Sequence, residues 1–270
     1  MYAMNIKKLR LALVGKDVSK SISGEIHTFI LAKLGVACEY EKFSVPMEEF
    51  DGTMRTLMGD FDGFNVTIPY KRDVMGYISE VTDDALDYGA VNTVVNASGK
   101  GYNTDGAGFL LMLQSANIQV KNKKILVLGG GGSGRSTAVA LKKSGASVYM
   151  YQRRKEKLLE TCAELGVTPA ESAESGGFDI LVNCTGVGMH DSEGLSPVTA
   201  KAFAGASVAI DLIYTPEKSQ FLALAEGQGL QILNGAAMLF YQAYFADCLY
   251  LDIQPNVQQA TEFYRQFQQN

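Results

Sequence analysis

The residues best able to do chemistry in this chain are Gly129-Gly130-Gly131-Gly132-Ser133-Gly134. They follow the apolar run Lys124-Ile125-Leu126-Val127-Leu128 directly and precede a segment, residues 135–141, that reads as a helix. Gly129, Gly131 and Gly134 fit the spacing G-x-G-x-x-G. The first glycine permits a tight turn, the second lets backbone approach a pyrophosphate, and the third lets helix pack closely on strand. Phosphates then rest against a helix N-terminus, whose unpaired N–H groups and dipole favour anions. The chemistry implied is dinucleotide binding.

The next strand narrows the choice of nucleotide. Residues 146–151 read as that strand, and it runs out into Gln152-Arg153-Arg154-Lys155, with Lys157 close behind. A binder of NAD usually ends this strand with a carboxylate that accepts from the ribose 2′-OH. Here cations stand at the tip. They suit a 2′-phosphate, for which arginine offers a planar fork. Cations also oppose the dipole at a helix start, so a bound anion would account for them. The reading is NADP(H), with Glu156 nearby leaving NAD open.

A second set of chemical groups lies in the first hundred residues. Asn65-Val66-Thr67-Ile68-Pro69-Tyr70-Lys71 ends an apolar strand. Asn65 and Thr67 share one side by the two-residue period of a strand, and Pro69 turns the chain so that Lys71 stands at the strand's end. Gly89-Ala90-Val91-Asn92-Thr93 and Gly101-Tyr102-Asn103-Thr104-Asp105-Gly106 likewise set amides, hydroxyls and a carboxylate at strand ends. Any one of these alone also reads as turn chemistry.

The elements that must position these groups alternate. Strands are expected at 9–14, 38–45 and 63–68, with helices at 23–34 and 47–58 between them. This β-α-β-α-β order predicts a parallel sheet with right-handed crossovers. Residues 91–95 and 100–103 read as a hairpin. After the glycine loop, strands are expected at 148–151, 178–183, 208–213 and 230–233. Residues 236–249 and 257–268 read as closing helices, broken at Pro255. The boundary between two domains is expected at 105–121. A ligand cleft between the two domains is expected, facing the carboxyl ends of the second sheet's strands.

Composition narrows the class. Apolar residues are 47% and charged residues 20%, ordinary for a globular protein. A net charge of −5 without a long basic run argues against nucleic acid as a partner. No apolar stretch is long enough for a membrane span. Residues 1–10 carry cations, but Lys16, Asp17 and Lys20 interrupt any signal-peptide core after them, so the cytoplasm is expected. Cys38, Cys162, Cys184 and Cys248 are far apart and read as small core side chains. With only His27 and His190 besides, no metal site is expected.

Taken together, several blocks resemble the shikimate dehydrogenases, a family that includes quinate/shikimate relatives. The blocks are Ser21-Ile22-Ser23, 65–71, 89–93, Asn103-Thr104-Asp105 and 129–134. Further on come Asn183-Cys184-Thr185 with Gly188-Met189, then 211–216 and 235–242. They fall in family order across residues 11–242. The resemblance implies an α/β fold of two domains. An N-terminal, parallel-rich substrate domain (1–105, with the helices of 236–270 packed back on it) joins a Rossmann NADP-binding domain (106–235). It also implies reversible reduction of 3-dehydroshikimate to shikimate by NADPH, in aromatic amino acid biosynthesis by way of chorismate.

Carried over residue by residue, Lys71 and Asp105 match the family's catalytic pair. Hydride transfer to a ketone leaves charge on its oxygen. Lys71 is then either the proton donor or the cation that stabilises the developing alkoxide, and Asp105 orients it. Ser21 and Ser23 match the pair that binds the substrate carboxylate. Asn65, Thr67, Asn92 and Gln242 match positions that hold ring hydroxyls, and Tyr214 a tyrosine near the carboxylate. On the cofactor side stand Gly129, Gly130, Gly131, Gly132, Ser133, Gly134, Gln152, Arg153, Arg154, Lys157, Thr185 and Gly235. Met238 matches a residue beside the nicotinamide.

The chain departs from the family pattern in places. Lys20-Ser21-Ile22-Ser23-Gly24 stands where His-Ser-x-Ser-Pro is usual, and Gln152-Arg153-Arg154 where Asn-Arg-Thr is usual. There is no tryptophan. Two rival readings stay open: a quinate/shikimate dehydrogenase using NAD or NADP, and a nucleotide-binding sensor without catalysis. The presence of Lys71 and Asp105 argues against the sensor. Monomer and homodimer are both compatible with the sequence.

Overall fold

The computed structural model describes residues 8–269, so most of the cationic stretch 1–10 lies outside the described residues. The chain forms two compact units. One runs to Gly108 and resumes at Leu239, and the other is Phe109–Met238.

In the first unit, β1 (Leu9–Gly15), β2 (Cys38–Ser44) and β3 (Gly63–Val66) are joined through α1 (Ser23–Lys33) and α2 (Phe50–Asp60). Then follow the short β4 (Glu80–Val81), α3 (Asp83–Tyr88), and the hairpin of β5 (Thr93–Val95) and β6 (Lys100–Tyr102). The sheet order is β2-β1-β3-β5-β6-β4. The first three strands are parallel, while β5 runs antiparallel to both β3 and β6. Two reversals give β6 the direction of β3. The ends of β1, β3 and β6 and the start of β5 therefore share one end of the sheet. That topology delivers Ser21, Lys71, Asn92 and Asp105 to the same end.

Burial explains the strand signal. From Leu11 on, β1 is buried at every position, as expected for a strand covered on both faces. Met54 and Leu57 of α2 join Val14, Phe64 and Val94 in one apolar cluster. Three differences from the sequence reading are local. Residues 47–58 divide into a 3-10 turn, Met47–Glu49, and α2. No periodic signal marks β4 and α3, because they hold only 2 and 6 residues. β3 ends at Val66 rather than at Ile68, although the Thr67 N–H still donates to Val14 O at 2.9 Å.

Helix α4 (Asp105–Ser115) leads into the second unit. There β7 (Lys124–Leu128), α5 (Gly132–Lys143), β8 (Ser147–Tyr151), α6 (Lys155–Leu165) and β9 (Thr168–Pro169) come first. They are followed by β10 (Ile180–Asn183), β11 (Val208–Asp211), α7 (Gln220–Glu226) and β12 (Gln231–Leu233). The order β12-β11-β10-β7-β8-β9 is wholly parallel. This is the doubly wound dinucleotide order, with its switch point between β7 and β10. Helix α8 (Ala236–Tyr250) returns the chain to the first unit, where α9 (Val257–Phe267) ends it. Phe267 of α9 packs edge-on against Phe29 of α1 and tilted against Phe240 of α8.

All four cysteines are free; Cys162 and Cys248 are buried, and Cys38 and Cys184 only half-buried. Among the described residues no helix is long and apolar enough to cross a membrane. No cluster of His, Cys, Asp or Glu there could hold a metal.

Candidate active site

Lys71 is fixed before its side chain is considered. Tyr70, 1% exposed, stacks on Phe50 with centroids 4.1 Å apart, and its hydroxyl donates to Val45 O. The Lys71 carbonyl accepts from Val91 N at 2.7 Å. The ammonium then meets Asp105 Oδ2 at 2.6 Å, with the two side chains 10% and 7% exposed. Asp105 opens α4, where the helix dipole favours a carboxylate, and its N–H donates to Asn103 Oδ1 at 3.0 Å.

The other Asp105 oxygen belongs to an amide network. Asn92 Nδ2 donates to Asp105 Oδ1 at 2.8 Å and lies within 3.3 Å of Gln242 Oε1. Asn92 Oδ1 accepts from Thr104 N and from Thr93 Oγ1, each at 2.9 Å. Asn65 Nδ2 donates to Thr93 Oγ1 at 3.2 Å, and Asn65 Oδ1 accepts from Tyr40 OH at 2.9 Å. Gln242 reaches this network because α4 carries Gly108 opposite it: a Cβ there would stand 2.7 Å from Gln242 N. Lys71, Asp105, Asn92, Asn65 and Gln242 thus form one connected cluster. Thr67, just after β3, is half-buried, with its methyl against Gly15. Thr93, Thr104 and Tyr40 join the cluster without having been singled out from the sequence. Thr93 and Thr104 sat inside motifs already noted, whereas Tyr40 gave no signal.

Ser21 and Ser23 face each other at the start of α1, with Ser21 Oγ donating to Ser23 Oγ at 2.9 Å. Lys42 clips this loop by donating to Ser19 O at 3.1 Å and Ser21 O at 3.0 Å. Lys20 is exposed.

In the second unit the glycine loop has the backbone turn that its spacing predicts. Gly129 has φ +101°, open to glycine at no cost. A Cβ on Gly134 would lie 2.1 Å from Gly129 O, so only glycine fits that turn. A Cβ on Gly131 would instead enter open space in front of α5. Helix α5 starts there with neither a side-chain cap nor an acidic residue in its first turn. Its leading N–H groups are thus left for an external anion. This cradle fits a dinucleotide pyrophosphate.

Gln152 lies against the loop at Gly130 and also donates to Thr161 Oγ1 at 3.3 Å. Arg153, Arg154 and Lys157 are exposed around the start of α6. Thr185 approaches Gly129 from β10 and is pinned by Asn183 Oδ1, which accepts from its hydroxyl at 2.7 Å. Asn183 in turn donates to Asp211 Oδ1 at 3.0 Å. Burial raises the Asp211 carboxyl, against hydrogen bonds from Ser219, Ile213 N–H and Asn183 that lower it. Gly235 packs against the Leu212 carbonyl, Met238 is buried, and Tyr214 is half-buried after β11.

A doubly wound dinucleotide unit, joined in one chain to an α/β unit with a buried Lys–Asp–amide cluster, is the plan of a two-domain nicotinamide-dependent dehydrogenase. Residues 13–94 match the family model for the shikimate dehydrogenase substrate binding domain. Shikimate dehydrogenase (NADP(+)) of Thermus thermophilus is 35% identical over 250 residues, 92% of this chain and 94% of that protein. The crystal structure of shikimate 5-dehydrogenase from the same species, in complex with NADP(H) and shikimate, superposes with TM-score 0.87 at 34% identity, covering 96% of this chain and 99% of that one. The Listeria monocytogenes enzyme, in complex with shikimate and NAD, superposes with TM-score 0.81 at 26% identity, covering 97% and 98%. The chain belongs to the shikimate dehydrogenase family.

Proposed function

We propose that this protein is an NADP-dependent shikimate dehydrogenase, interconverting shikimate and 3-dehydroshikimate on the route to chorismate and the aromatic amino acids. The observation that carries this reading is the buried Lys71–Asp105 pair inside an amide and hydroxyl cluster suited to a polyhydroxylated ring. The glycine cradle and the Arg153, Arg154 and Lys157 cations would hold the dinucleotide, with Gln152 and Thr185 lining the loop. When bound, NADP(H) would supply the hydride chemistry for interconverting the substrate's hydroxyl and ketone.

The chain's own residues do the rest. Ser21 and Ser23 offer two hydroxyls to the substrate carboxylate, with Tyr214 assigned to the same group. Asn65, Thr67, Asn92 and Gln242 orient the ring hydroxyls. Asp105 holds the Lys71 ammonium toward the reacting oxygen and accepts from a ring hydroxyl. In the reduction direction Lys71 gives a proton to the oxygen that gains charge, and in oxidation it takes the proton back. Gly235 and Met238 belong to the cofactor side. The enzyme acts on a small molecule in the cytoplasm, as monomer or homodimer, without nucleic acid.

The test is a set of initial rates on shikimate and on quinate, each with NADP⁺ and with NAD⁺. A dominant shikimate/NADP⁺ rate supports the proposal. A dominant quinate or NAD⁺ rate would move the protein to the catabolic relatives, and silence in all four would leave a sensor.

A further inference from the structure

The Asn65 amide is held in one orientation by a residue outside the substrate set. Tyr40 OH donates to Asn65 Oδ1 at 2.9 Å. The Asn65 NH₂ must then face the other way, and it donates to Thr93 Oγ1 at 3.2 Å. Thr93 Oγ1, having accepted, donates to Asn92 Oδ1 at 2.9 Å. That leaves the Asn92 NH₂ to donate to Asp105 Oδ1 at 2.8 Å, whose other oxygen holds Lys71 at 2.6 Å. Every bond from Tyr40 to Asp105 points the same way, and Lys71 donates to Asp105 from the other side. The direction is anchored at Asn92, whose Oδ1 accepts from the Thr104 N–H and whose NH₂ faces the acceptor-only Asp105 carboxylate, and the Thr93 and Tyr40 hydroxyls complete it.

Tyr40 is equipped to start such a chain. Burial raises its phenol well above the ordinary value, so the hydroxyl keeps its proton. Its ring lies stacked on His27, with centroids 4.8 Å apart and planes at 16°. His27 is itself held by Asp247 of α8 through a 2.6 Å contact between two side chains at 0% exposure. The tyrosine ring is thereby stacked on an α1 residue that α8 holds, while its hydroxyl reaches β3.

We propose that Tyr40 is a positioning residue for this enzyme: its hydroxyl closes the Asn65–Thr93–Asn92 relay at the Asn65 end and so holds the Asn65 amide in the orientation that meets the substrate. The inference rests on the proposed substrate role of Asn65. The test is a double-mutant cycle of Tyr40→Phe, which keeps the stacked ring, with Asn65→Ala, measured as steady-state kinetics on shikimate and NADP⁺. Thr93→Val breaks the same relay one link on and serves as a second, volume-matched variant.

The expected result is a shikimate KM about five-fold higher in Tyr40→Phe, the worth of one neutral hydrogen bond, with KM for NADP⁺ unchanged. Thr93→Val should act in the same sense. In the Asn65→Ala background, Tyr40→Phe should change nothing further. Additive effects, equal shifts in both Michaelis constants, or no shift in Tyr40→Phe would overturn the inference. An Asn65→Ala enzyme with normal shikimate KM would overturn the substrate role of Asn65 and the relay with it. Absence of shikimate turnover in the unaltered protein would instead overturn the proposed function.

Discussion

Lys71 Nζ and Asp105 Oδ2 stand 2.6 Å apart, although 34 residues separate them in sequence. The antiparallel hairpin β5–β6 makes this possible, because it turns the chain twice and returns Asp105 to the end of the sheet where β3 leaves Lys71. Removing one member of a buried ion pair leaves the other charge uncompensated, which costs about 3–5 kcal/mol. Asp105→Ala should therefore lower thermal stability markedly as well as turnover. Asp105→Asn, which keeps one acceptor oxygen, should lose less stability. Thermal melts of the two variants check this; equal melting temperatures would contradict a charge-pairing role.

The glycine loop gives a paired prediction. Gly134→Ala forces a methyl to within 2.1 Å of Gly129 O, and overpacking of this kind costs about 1–3 kcal/mol. Gly131→Ala meets nothing within 4 Å, so its stability should stay within about 0.5 kcal/mol of the parent. Its methyl would nonetheless occupy the space a pyrophosphate needs. NADPH titration with thermal melts should show Gly131→Ala stable but weakly binding, and Gly134→Ala impaired in both.

Arg153→Ala should raise KM for NADP⁺ by about ten-fold, the worth of one charge-assisted hydrogen bond, and leave KM for NAD⁺ nearly unchanged. Steady-state kinetics with each cofactor at saturating shikimate measure this. Equal effects would mean that the cations around α6 do not read the 2′-phosphate.

Burial lifts the Asp247 carboxyl to about 6, against the lowering pull of His27. A carboxyl raised in the folded state binds more protons folded than unfolded. It therefore adds stability as pH falls from about 6 toward the unfolded carboxylate value near ~4. The melting temperature of the parent relative to Asp247→Asn should rise through that window. Parallel profiles would contradict the burial argument.

Local spacing made much of this architecture legible. The glycine loop, the cations after β8 and the polar strand ends are each contiguous, and their positions relative to strands follow from hydrophobic runs. What stayed hidden depends on contacts that only the fold creates. His27 and Asp247 are 220 residues apart, and His27 weighed in sequence only as too little for a metal site. Tyr40 sits in a strand whose residues are at most half-buried, so nothing in its pattern separates a relay donor from a surface tyrosine. Asp211 lay in a matching block, but its support of Thr185 through Asn183 requires β10 and β11 to pair in register. The hairpin was legible, but not its reversal of direction relative to β3, which depends on strand order.

In the proposed reaction the role of Lys71 is to act on the reacting oxygen rather than on substrate affinity. It is tested most directly by Lys71→Ala, comparing shikimate affinity from equilibrium binding with the turnover number, on protein shown to be folded by its NADPH binding. Turnover should fall by roughly 10²–10⁴-fold, the usual worth of a general acid–base group, with shikimate affinity largely retained. Affinity lost in proportion to turnover would contradict that role and make Lys71 a binding residue.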